Sequence, residues 1–428
     1  MAQAEAIAPA APAPSVLTTA DGKPLKASLR AAERQNKWRA FALVAPLLIF
    51  ILVTFLIPIG EMTFRSVENS LVSRVLHRTV PLLQNWDERS GELPDEAVYE
   101  ALFHDVAEGR QNKTIGKVGT RLNYEEPGMS SIFRSSPRKF KKIEEGPYKE
   151  QIIKANKGWG KLSTWNTIKR ESGAFTPSYF LAALDRKISP DGGVVSQPPE
   201  RQIYLNLFWR TMWMSALITV LCLILGFPIS YLLATLPTAK SNLLLILVLL
   251  PFWTSLLVRT SAWIAILQQE GIINDILVSI GLISDDGRLR MIHNQVGTIV
   301  AMTHVLLPFM VLPLFSVMKT IPPSYMRAAR SLGANPTLAF VRVYVPQTVP
   351  GIGAGGILVF IIAIGYYITP ALVGGTQGTL ISNFIAYHMS VSLNWGLAAA
   401  LGVILLGLVL ALYIIYDKIV GIDNMKLG

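Results

Sequence analysis

The residues with the most chemical capacity in this chain of 428 residues lie in surroundings that exclude water. Arg259 is the one formal charge well inside an apolar run, Pro251-Phe-Trp-Thr-Ser-Leu-Leu-Val-Arg-Thr-Ser-Ala-Trp263. A charge in hydrocarbon is costly, so it marks a functional position or a structural partnership. Here it can pair across a subunit interface, snorkel, or satisfy backbone carbonyls. His304 is the only one of five histidines inside such a run, where it can line a pore or bond a neighbouring helix. His77, His104, His293 and His388 are scattered without metal-ligand spacing. Trp253, Trp263, Tyr366 and Tyr367 offer either cation–π faces to a cationic solute or packing and interfacial anchoring. Enzyme chemistry has no comparable support. Gly158-Trp159-Gly160-Lys161-Leu162 lacks both the earlier glycine and the Ser or Thr of a phosphate loop. No cofactor is expected, and ATP hydrolysis, if it drives this protein, belongs to another chain.

The elements that position these residues are membrane helices. The composition is 51% hydrophobic and 16% charged. Crossing the hydrocarbon layer takes roughly 20 apolar residues, and runs of that length occur near 40–60, 212–236, 243–268, 296–317, 352–373 and 396–416. The fold class is therefore an all-α membrane protein of six spans. Lys and Arg in short flanking segments set orientation. The tail carries Lys23, Lys26, Arg30, Arg34, Lys37 and Arg39, and the loop after the fourth span carries Lys319, Arg327, Arg330 and Arg342 with no acid. Both belong in the cytoplasm, as do both termini. No Asp or Glu falls within the six runs, which weighs against an ion-coupled carrier built on intramembrane carboxylates. Cys222 is the lone cysteine, so no internal disulfide forms.

Residues 1–39 read as a disordered cytoplasmic tail and 40–60 as an uncleaved first span. Residues 61–210 are too long for a simple connection and read as an extracytoplasmic insertion. With 23 Lys or Arg against 19 Asp or Glu, the insertion is nearly balanced. The net charge of +11 is thus spread over tail and loops and does not imply nucleic acid. Pro94–Glu108 has the spacing of an amphipathic helix, with Ala97, Val98, Ala101, Leu102 and Val106 available for one face. Pro177–Leu184 suggests another helix, and Trp86, Trp159 and Trp165 suit a small core. The insertion either contacts a partner protein or caps the outer face. Residues 211–428 form a five-helix core with a polar loop at 318–350.

That loop is the most informative segment. Pro322 and Pro323 can open a short helix, Ala328 and Ala329 give it a small-residue face, and Gly333 can end it with positive φ. Asn335-Pro336 reads as an N-cap and first position of a second helix, which Pro346 limits. The order Arg327-Ala328-Ala329, three residues, Gly333, nine residues, then Val343-Tyr344-Val345-Pro346 resembles the ATPase-docking loop of bacterial ABC importer permeases. It departs from that pattern at Arg327, where Glu is usual, and at the two valines. Three further segments, 250–264, Glu270-Gly271-Ile272-Ile273-Asn274 and Val349-Pro350-Gly351-Ile352, resemble the spermidine/putrescine permeases. The resemblance covers 40–60 and 205–420. It implies a type I importer permease fold and a transport subunit for polyamines or a related cationic molecule. It also implies a second permease subunit, a cytoplasmic ATPase dimer and an extracytoplasmic substrate-binding protein as partners within the lipid of a bacterial inner membrane. Importers of opines, iron or sugars, an ion-coupled carrier, and a membrane scaffold are the alternatives.

Overall fold

A computed structural model describes residues 25–189 and 192–420. They fall into two units that divide between Met62 and Thr63. The first unit is helical from Leu25: Leu25–Ile51, a π-turn at Leu52–Leu56, then Ile57–Arg65, which runs into the second unit. The expected disordered tail lies outside the described residues up to 24. From Leu25 it is instead helical, in a stretch rich in the helix formers Ala, Arg, Glu and Gln. The π-turn ends two residues before Pro58, and the Ile57 amide reaches the Leu52 carbonyl. A wider turn makes room for a ring that would collide with the carbonyl four residues back.

The membrane core of the second unit is built on three helices, Tyr204–Thr235, Gln295–Thr320 and Val345–Gly365, which pack against one another. Their shared interior holds Met214, Ile218, Cys222, Met302, Leu306, Met310, Val359 and Ala363. Close approach depends on small residues. A Cβ on Gly355 would lie 2.8 Å from the Met310 sulfur, and one on Gly226 would lie 3.1 Å from Met310 Cγ. The sixth span is Trp395–Val420. Among the described residues five helices are long and apolar enough to cross a membrane, or six when one bent pair counts as a span.

That bent pair corrects the reading of 243–268 as one continuous run. Thr238–Trp253 and the chain from Leu256 meet at 97°. Ser255, with extended backbone, starts the second piece at Leu256–Leu267, and Ile272–Ser279 follows. The apolar run near 352–373 also divides: the helix ends at Gly365, and Ile368–Val373 is a separate short helix.

The insertion is a helical body with its own core. Trp159, Trp165, Tyr99 and Phe133 are fully buried, and Trp86 packs at the edge, as the sequence suggests. The helix expected at 94–108 spans Glu96–Gln111 and buries Val98, Ala101, Leu102 and Val106. Tyr99 joins that face while Ala97 is exposed. Its hydroxyl donates to Trp159 O at 2.8 Å and accepts from Trp165 Nε1 at 3.2 Å. Burial pushes the Tyr99 phenol up to about 12. At the other end of the insertion the buried Arg121 binds Glu171 at 2.7 Å and Glu125 at 2.8 Å and lies over the Tyr179 ring.

Three contacts fasten the insertion to the spans. Asp185, buried, accepts from the amides of Ile203, Tyr204 and Leu205 at 2.9–3.1 Å, capping the second span from 18–20 residues away. Tyr179 and Ala183, on the short helix Ser178–Ala183, pack with Leu207, Ile381, Leu397 and Leu401. The Tyr124 hydroxyl donates to Ser392 O at 2.9 Å.

Tyr179 sits so close to the sixth span that a Cβ on Gly396 would lie 2.3 Å from its ring. Gly396→Ala is therefore expected to cost about 1–3 kcal/mol by overpacking, lowering the thermal midpoint of the detergent-solubilised protein. Combining it with Tyr179→Ala should recover part of the loss that neither substitution recovers alone.

Candidate docking loop and pathway residues

The loop after the fourth span folds as its residue chemistry dictates. Pro323–Ser331 is a helix with Pro at its start and no buried residue. Gly333, at φ 92, closes it. The Ala334 amide bonds Ala329 O at 3.1 Å and the Gly333 amide bonds Arg330 O at 3.0 Å, the paired bonds of a Schellman cap. A Cβ on Gly333 would meet nothing within 4 Å, so the requirement for glycine is purely conformational. Asn335 caps the next helix through Leu338 N at 2.7 Å, with Pro336 at the first position.

Pro346 does not limit that helix. Pro336–Ala339 continues through a π-turn at Phe340–Tyr344 into the fifth span, 30 residues in all. The π-turn again ends two residues before the proline, as at Pro58: the Val345 amide reaches Phe340 O, and the Gln347 side chain donates through Nε2 to Val343 O at 2.7 Å. The fifth span thus enters the loop without a joint.

Between the short helix and this entry lies an open groove of 390 Å3. Its walls include Tyr325, Ala328, Ala329, Leu332 and Leu338. Leu332 is 90% exposed at its rim. Arg327 and Ala328 are exposed and Ala329 is half-buried. Among the described residues no carboxylate lies within ion-pair distance of Arg327.

Within this chain Arg259 bonds backbone carbonyls. Where the third span breaks, the carbonyls ending Thr238–Trp253 lose their intrahelical partners. The Arg259 guanidinium folds back to Pro251 O, to Thr254 O at 3.0 Å and to Thr254 Oγ1 at 3.4 Å. It holds the bend. Trp253, at its apex, is 69% exposed. Trp263 and His304 are brought together: the indole N–H donates to His304 Nδ1 at 3.1 Å. Tyr366 and Tyr367 instead flank the break that ends the fifth span. Their carbonyls accept from Ser382 Oγ at 2.8 Å and Asn383 Nδ2 at 2.7 Å, and the Tyr367 ring is half exposed.

Sequence reasoning passed over the segment Gly374-Gly375-Thr376-Gln377-Gly378. It lies against the start of the fourth span so closely that a Cβ on Gly378 would meet Asn294 O at 2.5 Å and one on Gly374 would meet Thr298 Oγ1 at 2.5 Å. Thr298 donates to Gly378 O at 3.0 Å and Arg210 to Thr376 O at 3.0 Å. Three glycines in five residues beside an apolar run were the available signal.

A permease is the class of protein this architecture defines. Residues 224–420 match the family described as the binding-protein-dependent transport system inner membrane component. The chain is 34% identical over 224 residues to the spermidine/putrescine transport system permease protein PotB of Haemophilus influenzae, covering 52% of this chain and 78% of the relative. It is 35% identical over 214 residues to PotB of Escherichia coli, covering 49% and 77%. The chain belongs to this family of ABC importer permeases and is a multi-pass inner-membrane transport subunit. Among solved structures, it is similar to a bacterial ABC transporter involved in the import of the acidic polysaccharide alginate. That likeness has 18% identity and a TM-score of 0.41 over 51% of this chain and 80% of the other. The insertion lies outside the family match.

Two expectations follow from the geometry. Arg259→Met removes charge-assisted bonds worth about 1.5–3 kcal/mol each, so hydrogen exchange at 256–260 should accelerate in nanodiscs while the rest of the core is unchanged. The second concerns His388, in the short helix Ile381–Ser390, which is buried between the Tyr204 hydroxyl and Ser392 Oγ at 2.8 Å each. Burial lowers its pKa, so the neutral ring stabilises the fold above the unfolded value of about 6.5 and that share is lost as pH falls below it. The thermal midpoint should drop on acidification below that value, and His388→Gln should flatten the drop.

Proposed function

We propose that this chain is one permease half of an ATP-driven importer for polyamines or a related cationic small molecule, with the Pro323–Ser331 helix seated in a cytoplasmic ATPase. Both termini and the docking loop face the cytoplasm, and the insertion faces outward. A second permease subunit completes the pathway and an extracytoplasmic binding protein delivers the solute.

The observation that carries the docking assignment is the exposed helix and groove at 323–343. The helix buries none of its residues, yet its C-terminal turn is fixed by two bonds and an obligatory positive φ. Met326 packs against the membrane core while Arg327, Ala328 and Arg330 stay exposed, and an exposed surface held rigid in this way is what a docked partner requires. Because the second helix runs directly into the fifth span, displacement of the loop is transmitted to that span as a rigid body. Arg327, where the family pattern has Glu, implies an acidic residue in the receiving cleft. The cationic solute rests on the PotB similarity. It is compatible with a pathway without carboxylates, in which tight recognition is left to the binding protein.

The test is reconstitution in proteoliposomes with the cognate ATPase, second permease and binding protein, measuring ATP-dependent uptake of labelled spermidine. Wild type should accumulate it, and Ala328→Trp, which fills the groove from an exposed position, should lose about tenfold or more of the rate with membrane insertion unchanged. Undiminished uptake in the variant would overturn the docking assignment. Uptake of another solute class in place of spermidine would overturn the substrate.

A further inference from the structure

At the insertion end of the second unit lies a cleft of 840 Å3 between residues 113–134 and the 391–396 segment that opens the sixth span. One wall carries Lys113, Lys117 and Arg134, all exposed. Among the described residues no carboxylate lies within ion-pair distance of these three. The other charged groups of the lining are already engaged: Arg65 lies over the Trp395 ring at 5.8 Å, Glu68 accepts from Ser70 Oγ at 2.7 Å and lies 3.9 Å from Arg74, and Arg121 is held by Glu125 and Glu171. The 391–396 side alternates apolar residues with Ser392 and Asn394. Val391 and Leu393 are 65% and 64% exposed, and Trp395 is the first residue of the sixth span.

Two of the lining residues are also conformationally unusual. Lys113 and Leu393 both adopt φ 56, in the left-handed region that non-glycine residues avoid. Strain of this kind persists where the surroundings impose it and gathers at ligand sites. Here it falls on a cation and an isobutyl side chain that line one cleft.

We propose that this cleft binds the headgroup of an anionic membrane phospholipid. The phosphate lies among Lys113, Lys117 and Arg134, and the first acyl carbons lie against Leu393 and Trp395. The level is right, because a Trp at the first turn of a span marks the headgroup layer. Cations there gain from anionic lipid. An acidic protein would satisfy the three cations but would leave Val391 and Leu393, at the mouth of a membrane helix, without an apolar partner.

The test is native mass spectrometry of the full-length chain released from nanodiscs of equal phosphatidylglycerol and phosphatidylcholine. Wild type should retain phosphatidylglycerol selectively. At about one tenfold step for every one to two cations lost, K113Q/K117Q/R134Q should retain it on the order of a hundredfold less while its gel-filtration profile is unchanged. If the triple variant folds poorly, Lys117→Gln alone must still cut retention, by about fivefold. Equal retention of the two lipids by wild type, or unchanged retention in the variants, overturns the proposal. So does a triple variant that keeps its lipid and loses only a partner protein.

Discussion

In a bilayer core every backbone amide and carbonyl must find a partner within the protein, and this constraint organises the rest of the molecule. It explains why the spans are helices, and it explains what happens where they are not. The third span breaks at Thr254–Ser255, and Arg259 supplies the donors that the broken end lacks. After the fifth span, the carbonyls of Tyr366 and Tyr367 are taken by Ser382 and Asn383. The glycine-rich turn at 374–378 is bonded to Thr298 and Arg210. Proline is admitted by the same rule: at Pro58 and Pro346 a π-turn just upstream rearranges the ladder instead of ending it.

A second consequence concerns the large insertion. It is joined to the spans by polar and packed contacts at positions that themselves need satisfying. Asp185 accepts from the free amides at the start of the second span, and Tyr179 fills the space left by the missing side chain of Gly396. The insertion is therefore anchored to one end of the core. At the opposite end the docking loop is the converse case, a surface that packs against little and is rigid through its own caps.

Much of this was legible in the sequence. Apolar run length located the spans, and Pro323, Gly333 and Asn335-Pro336 each marked a helix boundary that the structure places within a residue. These are local effects, set by one residue's φ or one missing amide. Pro346 misled because proline was read as a stop, when a wider turn upstream removes its clash. The 97° bend escaped because Thr254 and Ser255 are unremarkable by composition. The clue was Arg259, whose charge was visible but whose partners were backbone atoms. Asp185 and the Tyr179–Gly396 contact were out of reach for a different reason: both join residues distant in sequence, and nothing local to either end betrays the other.

The central claim is that the 323–335 loop is the surface an ATPase occupies. The most direct measurement is cross-linking from a cysteine at Ala329, in a Cys222→Ser background, in membranes that also carry the cognate ATPase with single cysteines around its receiving cleft. The account predicts a specific disulfide-linked product that forms at Ala329 and not at a control cysteine in the insertion, and whose yield changes with nucleotide. Equal products from both positions, or none at Ala329 in membranes competent for ATP-driven uptake, would contradict it.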